Sequence, residues 1–209
     1  MYDVTWKHPF TCSISGSTGS GKSEWCFKFI RHIEQMMSPV PDEIIWCYGV
    51  WQKGYEDMQR RGVVFLEGIP DISDWNIDKR RLVIIDDLMH ETNAALSQLF
   101  TKGSHHKNIS VMYIVQNLFA KNKESRTISL NSHYMVVFKN PRDCSQIIHL
   151  GRQMFPGEGR YVTEAFKSAT SRPYGYLLFD LRQDTSDQLR LRTNIFPGEE
   201  HTVFVPKRQ

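Results

Sequence analysis

Eight consecutive residues near the start of the chain have the types and spacing of a phosphate-binding loop. Glycines let successive backbone N–H groups point into one concave nest that binds phosphate oxygens. Lys22 is then expected to reach the β- and γ-phosphates of a nucleotide, and the Ser23 hydroxyl to ligate Mg²⁺. The competing interpretation is a Gly/Ser-rich turn that carries a lysine by chance. The residues are Gly16-Ser17-Thr18-Gly19-Ser20-Gly21-Lys22-Ser23, which match G-x-x-x-x-G-K-[ST].

The segments on either side of this loop have the patterns that such a loop requires. Residues 10–15 are short and carry β-branched side chains, which favours a strand, and residues 24–33 place apolar side chains at helical spacing. A helix that begins at Glu24 adds unpaired N–H groups and the positive end of its dipole to the loop. We therefore expect residues 16–24 to bind a nucleotide.

A second segment supplies acids at the end of a buried strand. Residues 82–85 are four apolar side chains, and Asp86 and Asp87 follow them, which is the Walker B pattern. Ligands bind at the carboxyl ends of strands in open α/β sheets. Asp86 is expected to hold Mg²⁺ opposite Ser23. Asp87 is expected to orient or deprotonate the attacking water, or alternatively to cap a helix.

A polar pair follows a third apolar run. Residues 109–115 predict another buried strand, and Gln116 and Asn117 come directly after it. An amide at that position could sense the γ-phosphate or position the water. The alternative is an amide side chain that closes a turn.

The remaining pattern predicts an α/β protein with a single domain over residues 1–209. The first helix should end near residues 36–39, and residues 125–131 predict a short helix or turn. The motifs lie within about residues 10–155, and residues 156–209 form a helix and strand extension. Further strands are predicted at 43–48, 63–66, 134–138, 174–179 and 189–195, and further helices at 51–61, 92–102, 142–155 and 161–169.

Composition places the chain among ordinary globular proteins. Of its 209 residues, 40% are hydrophobic and 23% charged. No apolar run reaches the roughly 20 residues of a membrane span, and the N-terminus lacks the apolar core of a signal peptide, so we expect a soluble intracellular protein. The scattered cysteines predict buried free thiols, and the adjacent His105 and His106 do not suit a metal site.

Charge is distributed unevenly along the chain. Residues 1–100 hold 10 Lys and Arg against 14 Asp and Glu, whereas residues 101–209 hold 16 against 9. A basic half joined to an acidic half is typical of proteins that place one face against a polyanion. A solvated surface with a chance asymmetry explains the counts equally well.

The motifs in this order resemble those of the FtsK–HerA-type genome-packaging ATPases of double-stranded DNA viruses and of Polinton/Maverick-type or adintovirus-like elements. The resemblance covers about residues 10–155. It is carried by the loop at 16–23, by Asp86-Asp87, by Gln116-Asn117, and by Ser125-Arg126-Thr127-Ile128-Ser129-Leu130-Asn131. The family usually has Asp-Glu where this chain has Asp86-Asp87, so Glu91 is a second candidate for the general base.

This resemblance implies a RecA-like P-loop fold, with a mostly parallel central sheet flanked by helices. It implies ATP and Mg²⁺ as cofactors. It further implies a homo-oligomeric ring, a pentamer or hexamer, that pumps double-stranded DNA into a preformed capsid. A capsid portal or vertex protein would then be its partner, at the site of virion assembly.

Ring ATPases of this type complete each site with an arginine from the neighbouring subunit. A guanidinium beside the γ-phosphate stabilises charge in the transition state. Arg126 is the first candidate because it follows the strand of Gln116 and Asn117 in a polar turn, and Arg142 and Arg152 are alternatives. Arg126 could instead bind a surface carboxylate.

Two basic loops are candidates for contacts to DNA phosphates, which are independent of sequence and weaken with salt. The alternative for each is an ordinary solvated loop. One comprises Lys102, His105, His106 and Lys107, and the other comprises Lys121 and Lys123.

Two further functions compete with an ATP-driven DNA translocase. Small-molecule kinases that act on nucleosides or nucleotides share this length and a phosphate loop, but no arginine-rich lid is evident in the sequence. A slow nucleotide-dependent switch is the third possibility. Stimulation of hydrolysis by DNA separates the translocase from both.

Overall fold

A computed structural model describes residues 4–86, 88, 96, 99–103, 107–117, 123–141, 145–157 and 159–206. The main helices and strands of these residues build an α/β architecture. In chain order they are β1 (Trp6–Lys7), β2 (Thr11–Ser15), α1 (Lys22–Arg31), α2 (Ile33–Met36), β3 (Met37–Ser38), β4 (Glu43–Tyr48), α3 (Tyr55–Arg60), β5 (Val64–Glu67), β6 (Arg81–Asp86), β7 (Ile109–Val115), α4 (Lys123–Leu130), β8 (Tyr134–Phe138), α5 (Ser145–Met154), α6 (Gly159–Ala169), β9 (Tyr176–Asp180), β10 (Leu191–Thr193) and β11 (Thr202–Phe204).

Within the described part of the chain, nine strands form one sheet in the order β11-β10-β9-β8-β2-β7-β6-β4-β5. The strands from β8 to β5 in this order run parallel. The last three strands of the chain extend the sheet beyond β8 in antiparallel pairs. The predicted fold, a mostly parallel sheet flanked by helices, is confirmed.

The central strands are buried on both faces, which explains their continuous apolar sequences. Side chains alternate between the faces with period two. Leu82 and Ile84 of β6 pack with α1 on one face, while Val83 and Ile85 pack on the other. Helix α1 contributes a dense aromatic layer to the first face, in which Trp25 and Phe29 stack with ring centroids 5.6 Å apart.

Several predicted boundaries are confirmed by the structure. Strands β4, β7 and β8 have the predicted bounds. The first helix differs, because it ends at Arg31, and the backbone at His32 leaves the helical region (φ −113°) before α2 continues the path. The sequence did not predict the short parallel pair of β1 with β3, nor the edge strand β11.

Only part of the helix predicted over 92–102 lies within the described residues, where residues 99–103 form a π-helical turn. Cys12, Cys26 and Cys47 are buried free thiols, as predicted, and burial raises the pKa of Cys12 and Cys26 well above the ordinary value. Cys144 lies outside the described residues. In the described ranges, no helix is both long enough and apolar enough to cross a membrane.

A buried ion pair joins two of the antiparallel strands. Arg192 Nη2 of β10 donates to Asp180 Oδ2 of β9 at 2.6 Å, and the two side chains are 3% and 6% exposed. Burial raises the pKa of Asp180 and lowers the pKa of Arg192, because desolvation of each charge outweighs its attraction to the other. The pair therefore adds little net stability, but neither partner tolerates the loss of the other.

Replacement of Asp180 by asparagine tests this pair. Asp180→Asn leaves the Arg192 guanidinium buried without a counter-charge, and we expect the free energy of unfolding to fall by about 3 kcal/mol. Asp187→Asn breaks a comparable arginine pair, with Arg190, at a carboxylate whose side chain is 82% exposed. Asp187→Asn should lower the free energy of unfolding by less than about 1 kcal/mol. Urea denaturation measures the free energy of unfolding of both variants. Equal losses of this free energy would contradict a special cost for breaking the buried pair.

Candidate nucleotide-binding site

The predicted phosphate-binding loop connects the end of β2 to the start of α1. Its first residue is anchored to the neighbouring strand, since the Gly16 N–H donates to the Val115 carbonyl at 3.3 Å. Its last glycine, Gly21, has a φ of 100° and directly precedes the helix. Only glycine adopts this left-handed geometry readily. The N-terminus of α1 therefore points into the concave side of the loop.

The loop packs so closely at residue 16 that no side chain fits there. A Cβ on Gly16 would lie 2.6 Å from Ser20 Oγ and 2.7 Å from Phe138 Cβ. Ser20 Oγ is buried, and no hydrogen-bond partner for it exists among the described residues. A buried hydroxyl without a partner is costly. A phosphate oxygen in the loop would supply that partner.

The lysine of the motif lies over the loop. Lys22 Nζ donates to the carbonyl oxygens of Gly16 at 2.7 Å and of Ser17 at 2.9 Å. These contacts hold the ammonium group at the loop's own backbone, where phosphate oxygens could replace the carbonyls as acceptors. The predicted position of Lys22 therefore fits β- and γ-phosphate binding.

The serine of the motif meets the acid of the second motif. Ser23 Oγ donates to Asp86 Oδ2 at 3.2 Å, and Asp86 is the buried last residue of β6. Adjacent oxygen ligands of an octahedral Mg²⁺ ion with bonds near 2.1 Å lie about 3 Å apart. The two oxygens are therefore spaced so that one magnesium ion could bind both.

A tyrosine that sequence reasoning missed orients this carboxylate. Tyr55 is 1% exposed, and its hydroxyl donates to the same Asp86 oxygen at 2.9 Å. Its ring is fixed between Trp46 and Phe65, with centroids 5.4 and 5.0 Å away. The sequence predicted only a short helix over residues 51–61, and no motif in that segment marks Tyr55 as a functional residue.

The polar pair after β7 lies at the same edge of the sheet. Strand β7 separates β2 from β6, and its Ile114 pairs with Asp86 in register. Gln116 and Asn117 are exposed just beyond the strand end. Gln116 also lines a small cavity with Gly16. The structure thus brings Gln116 beside the loop, and Asn117 follows it at the same end of the sheet.

A large cleft borders the loop on the side where the C-terminal strands lie. Its volume is about 1210 Å³, and it extends from the start of α1 to the last strands of the chain. Glu24 lies at this cleft, exposed in the first turn of α1. The motifs placed the site within residues 10–155, and no sequence pattern indicated that Arg172, Tyr174 and Phe196 line this cleft.

Other predicted site residues lie elsewhere or outside the described residues. Arg126 and Arg152 are exposed on α4 and α5. Lys107 precedes β7, at the sheet edge opposite the loop, and its Nζ donates to the Ser73 carbonyl at 2.8 Å. The residues that lie outside the described part, or whose side chains do, are Asp87, Glu91, Lys102, His105, His106, Lys121, Lys123 and Arg142.

Comparison with solved structures identifies proteins of the same fold. The genome packaging NTPase B204 of Sulfolobus turreted icosahedral virus 2, solved with AMPPCP, superposes with a TM-score of 0.52 at 12% identity. The match covers 85% of this chain and 95% of that chain. The sulfate complex of B204 gives the same TM-score at 13% identity, over 96% and 98% of the two chains.

A secretion ATPase provides a second example. The cytoplasmic domain of EccC, the type VII secretion ATPase of Thermomonospora curvata, matches with a TM-score of 0.50 at 10% identity, over 84% of this chain and 24% of that one. No protein-family model and no curated protein sequence matches the chain. The chain therefore has the P-loop NTPase fold that it shares with the packaging NTPase B204, as the motifs predicted.

Proposed function

We propose that this chain is an ATP-hydrolysing DNA translocase that packages a double-stranded DNA genome into a preformed capsid. The observation that carries the proposal is the contact between Ser23 and Asp86 beside a glycine loop that holds Lys22. A loop lysine, a loop hydroxyl and a strand-end carboxylate are the parts that nucleotide hydrolysis requires. The likeness in fold to a genome packaging NTPase supports the choice of DNA as the substrate that is moved.

The residues divide the chemistry between them. Residues 16–24 bind the phosphates of ATP through backbone N–H groups, and Lys22 neutralises charge on the β- and γ-phosphates. Ser23 and Asp86 would hold Mg²⁺, which would draw negative charge away from the transferred phosphoryl group. Asp87 follows Asp86 in sequence and is assigned as the base for the attacking water.

The amides after β7 complete the hydrolytic residues. Gln116 and Asn117 lie past the end of β7, and Gln116 lines a small cavity with Gly16 of the loop. From that edge an amide can hydrogen-bond either the γ-phosphate or the attacking water, so we assign both residues to sensing and orientation. In this assignment, the amides position the attacking water only when the γ-phosphate is bound.

Translocation requires several subunits around the DNA. In the proposed ring, a pentamer or hexamer, an arginine of one subunit reaches the ATP of the next, and basic loops contact DNA phosphates without reading bases. The DNA-contact candidates remain Lys102, His105, His106 and Lys107 in one loop and Lys121 and Lys123 in the other. A capsid portal or vertex protein would anchor the ring where virions assemble.

The first prediction concerns DNA-stimulated hydrolysis. ATP turnover by the wild-type protein should rise severalfold when duplex DNA of arbitrary sequence is added. Lys22→Ala and Asp86→Asn should each lower turnover by about 100-fold or more, because the first removes a positive charge that stabilises the transition state and the second removes a carboxylate that would hold Mg²⁺. Phosphate release, measured with and without DNA and alongside the solution mass, provides the test.

Lys7→Ala is the matched lysine control, since Lys7 is exposed and forms only a surface ion pair with Asp184 among the described residues. It should retain wild-type turnover. Hydrolysis by a monomer that ignores DNA would refute the translocase. Transfer of phosphate from ATP to a nucleoside or nucleotide, assayed in parallel, would assign a kinase instead.

The second prediction concerns the Tyr55 hydroxyl. Tyr55→Phe removes the hydrogen bond from the tyrosine hydroxyl to Asp86 Oδ2 but keeps the buried ring. Groups that orient a metal-binding carboxylate typically contribute 10- to 100-fold in metal affinity, so the Mg²⁺ concentration for half-maximal ATP turnover should rise by about ten-fold. An unchanged dependence of ATP turnover on Mg²⁺ would mean that Tyr55 contributes only to packing. Tyr48→Phe provides the control, because its ring packs against the ring of Tyr55 in the same aromatic cluster.

The third prediction concerns the arginine supplied in trans. Arg126 is exposed on α4, where a neighbouring subunit can reach it. Arg126→Ala should lower turnover by about 10³-fold, and Arg126→Lys should not restore it, because an ammonium group lacks the planar guanidinium fork. Arg152→Ala should remain active.

Mixed assemblies test whether Arg126 acts between subunits. Arg126→Ala subunits keep an intact loop and Asp86→Asn subunits keep the arginine. Mixing the two inactive proteins should therefore restore part of the ATP turnover. Failure of the mixture, with assembly verified by mass, would contradict an action in trans.

A further inference from the structure

The geometry of the loop determines on which side the nucleotide base leaves it, if the chain binds ATP as proposed. Ser23 and Asp86 meet on the side of β2 where β7 and β6 lie, so a magnesium ion held by both residues, and the γ-phosphate with it, would lie on that side. The strands β8, β9 and β10 lie on the other side of β2. A triphosphate stretched across the loop therefore directs its ribose and base toward these C-terminal strands.

The 1210 Å³ cleft lies on that side, and a tyrosine stands at its junction with the loop. Tyr174 Cδ1 is 3.2 Å from the point that a Cβ on Gly21 would occupy, so its ring touches the start of α1. The side chain is nevertheless 72% exposed. An aromatic ring that borders a phosphate loop and leaves most of its surface open has the position of a stacking surface.

The backbone at this residue is strained. Tyr174 has a φ of 62°, which a bulky side chain adopts only at an energetic cost. The loop that holds it is short and follows α6 directly, with Pro173 before it and a hydrogen bond from the Gly175 N–H to the Arg172 carbonyl at 3.1 Å. Retained strain of this kind concentrates at ligand-binding sites.

The floor of the cleft is packed around Phe196, which lies in the segment between β10 and β11. Lys28 of α1 lies 4.8 Å from the centroid of the Phe196 ring and pairs with Glu199. Phe196 is itself buried against Trp25, with ring centroids 5.3 Å apart. The cleft therefore has a fixed floor and one exposed aromatic side chain, that of Tyr174, where it meets the loop.

We propose that Tyr174 is the platform on which the base of the bound nucleotide stacks. This inference rests on the proposed nucleotide binding and adds a residue outside the predicted motif region. Every base has a π face, so stacking on Tyr174 accepts adenine and guanine alike. The platform thus contributes affinity for a purine nucleotide, and discrimination between purines does not come from this contact.

Binding of ADP and of inorganic pyrophosphate, each with Mg²⁺, separates the base from the phosphates. Tyr174→Asn removes the ring but suits a left-handed backbone, because asparagine tolerates this conformation. We expect about ten-fold weaker binding of ADP and an unchanged affinity for pyrophosphate, since stacking concerns the base alone. Tyr174→Phe keeps the ring and should bind both ligands as the wild type does. Isothermal titration calorimetry measures all three proteins.

The other outcomes separate this inference from the proposed function. If Tyr174→Asn binds ADP and pyrophosphate more weakly by the same factor, Tyr174 only supports the loop. If its affinity for both ligands is unchanged, the base lies elsewhere. Either result overturns the platform while nucleotide binding stands. Lys22→Ala should weaken both ligands. A wild-type protein that binds neither ligand would refute the nucleotide site and the platform together.

Discussion

The site depends on one contact between side chains that start two strands apart. Asp86 ends β6 and Ser23 begins α1 after β2, and β7 lies between the two strands. Adjacent strands are about 4.8 Å apart, so the two backbones are separated by roughly 10 Å in the sheet. The loop after β2 turns the start of α1 back over this gap. The hydroxyl and the carboxylate thereby meet at 3.2 Å.

Burial of the sheet on both faces explains why the polar chemistry gathers at its edge. The side chains of β6 from Leu82 to Ile85 are wholly inaccessible, and the first polar residue after them is Asp86. Buried charge is stable only with partners, which Ser23 and Tyr55 provide. The same parallel arrangement places Gln116 and the glycine loop at the neighbouring strand ends.

The C-terminal strands add a wall that the parallel core alone lacks. Strands β9 to β11 continue the sheet beyond β8 and bring Tyr174 and Phe196 to the large cleft beside the loop. The ion pair of Asp180 with Arg192 lies within this extension and joins β9 to β10 at the expense of two buried charges. The extension thus contributes to the candidate site as well as to the core.

The sequence by itself determined the elements whose signals are local. The glycine loop and the apolar runs at 43–48, 109–115 and 134–138 could be predicted, because the conformational freedom of glycine and the hydrophobic pattern of a strand are properties of the local sequence. Tyr55 reaches Asp86 only because β4 pairs with β6 so that Tyr48 lies beside Asp86. Tyr174 reaches Gly21 only because β9 joins the sheet beyond β8. Such contacts arise from strand pairing between distant segments, so the tertiary structure alone decided them.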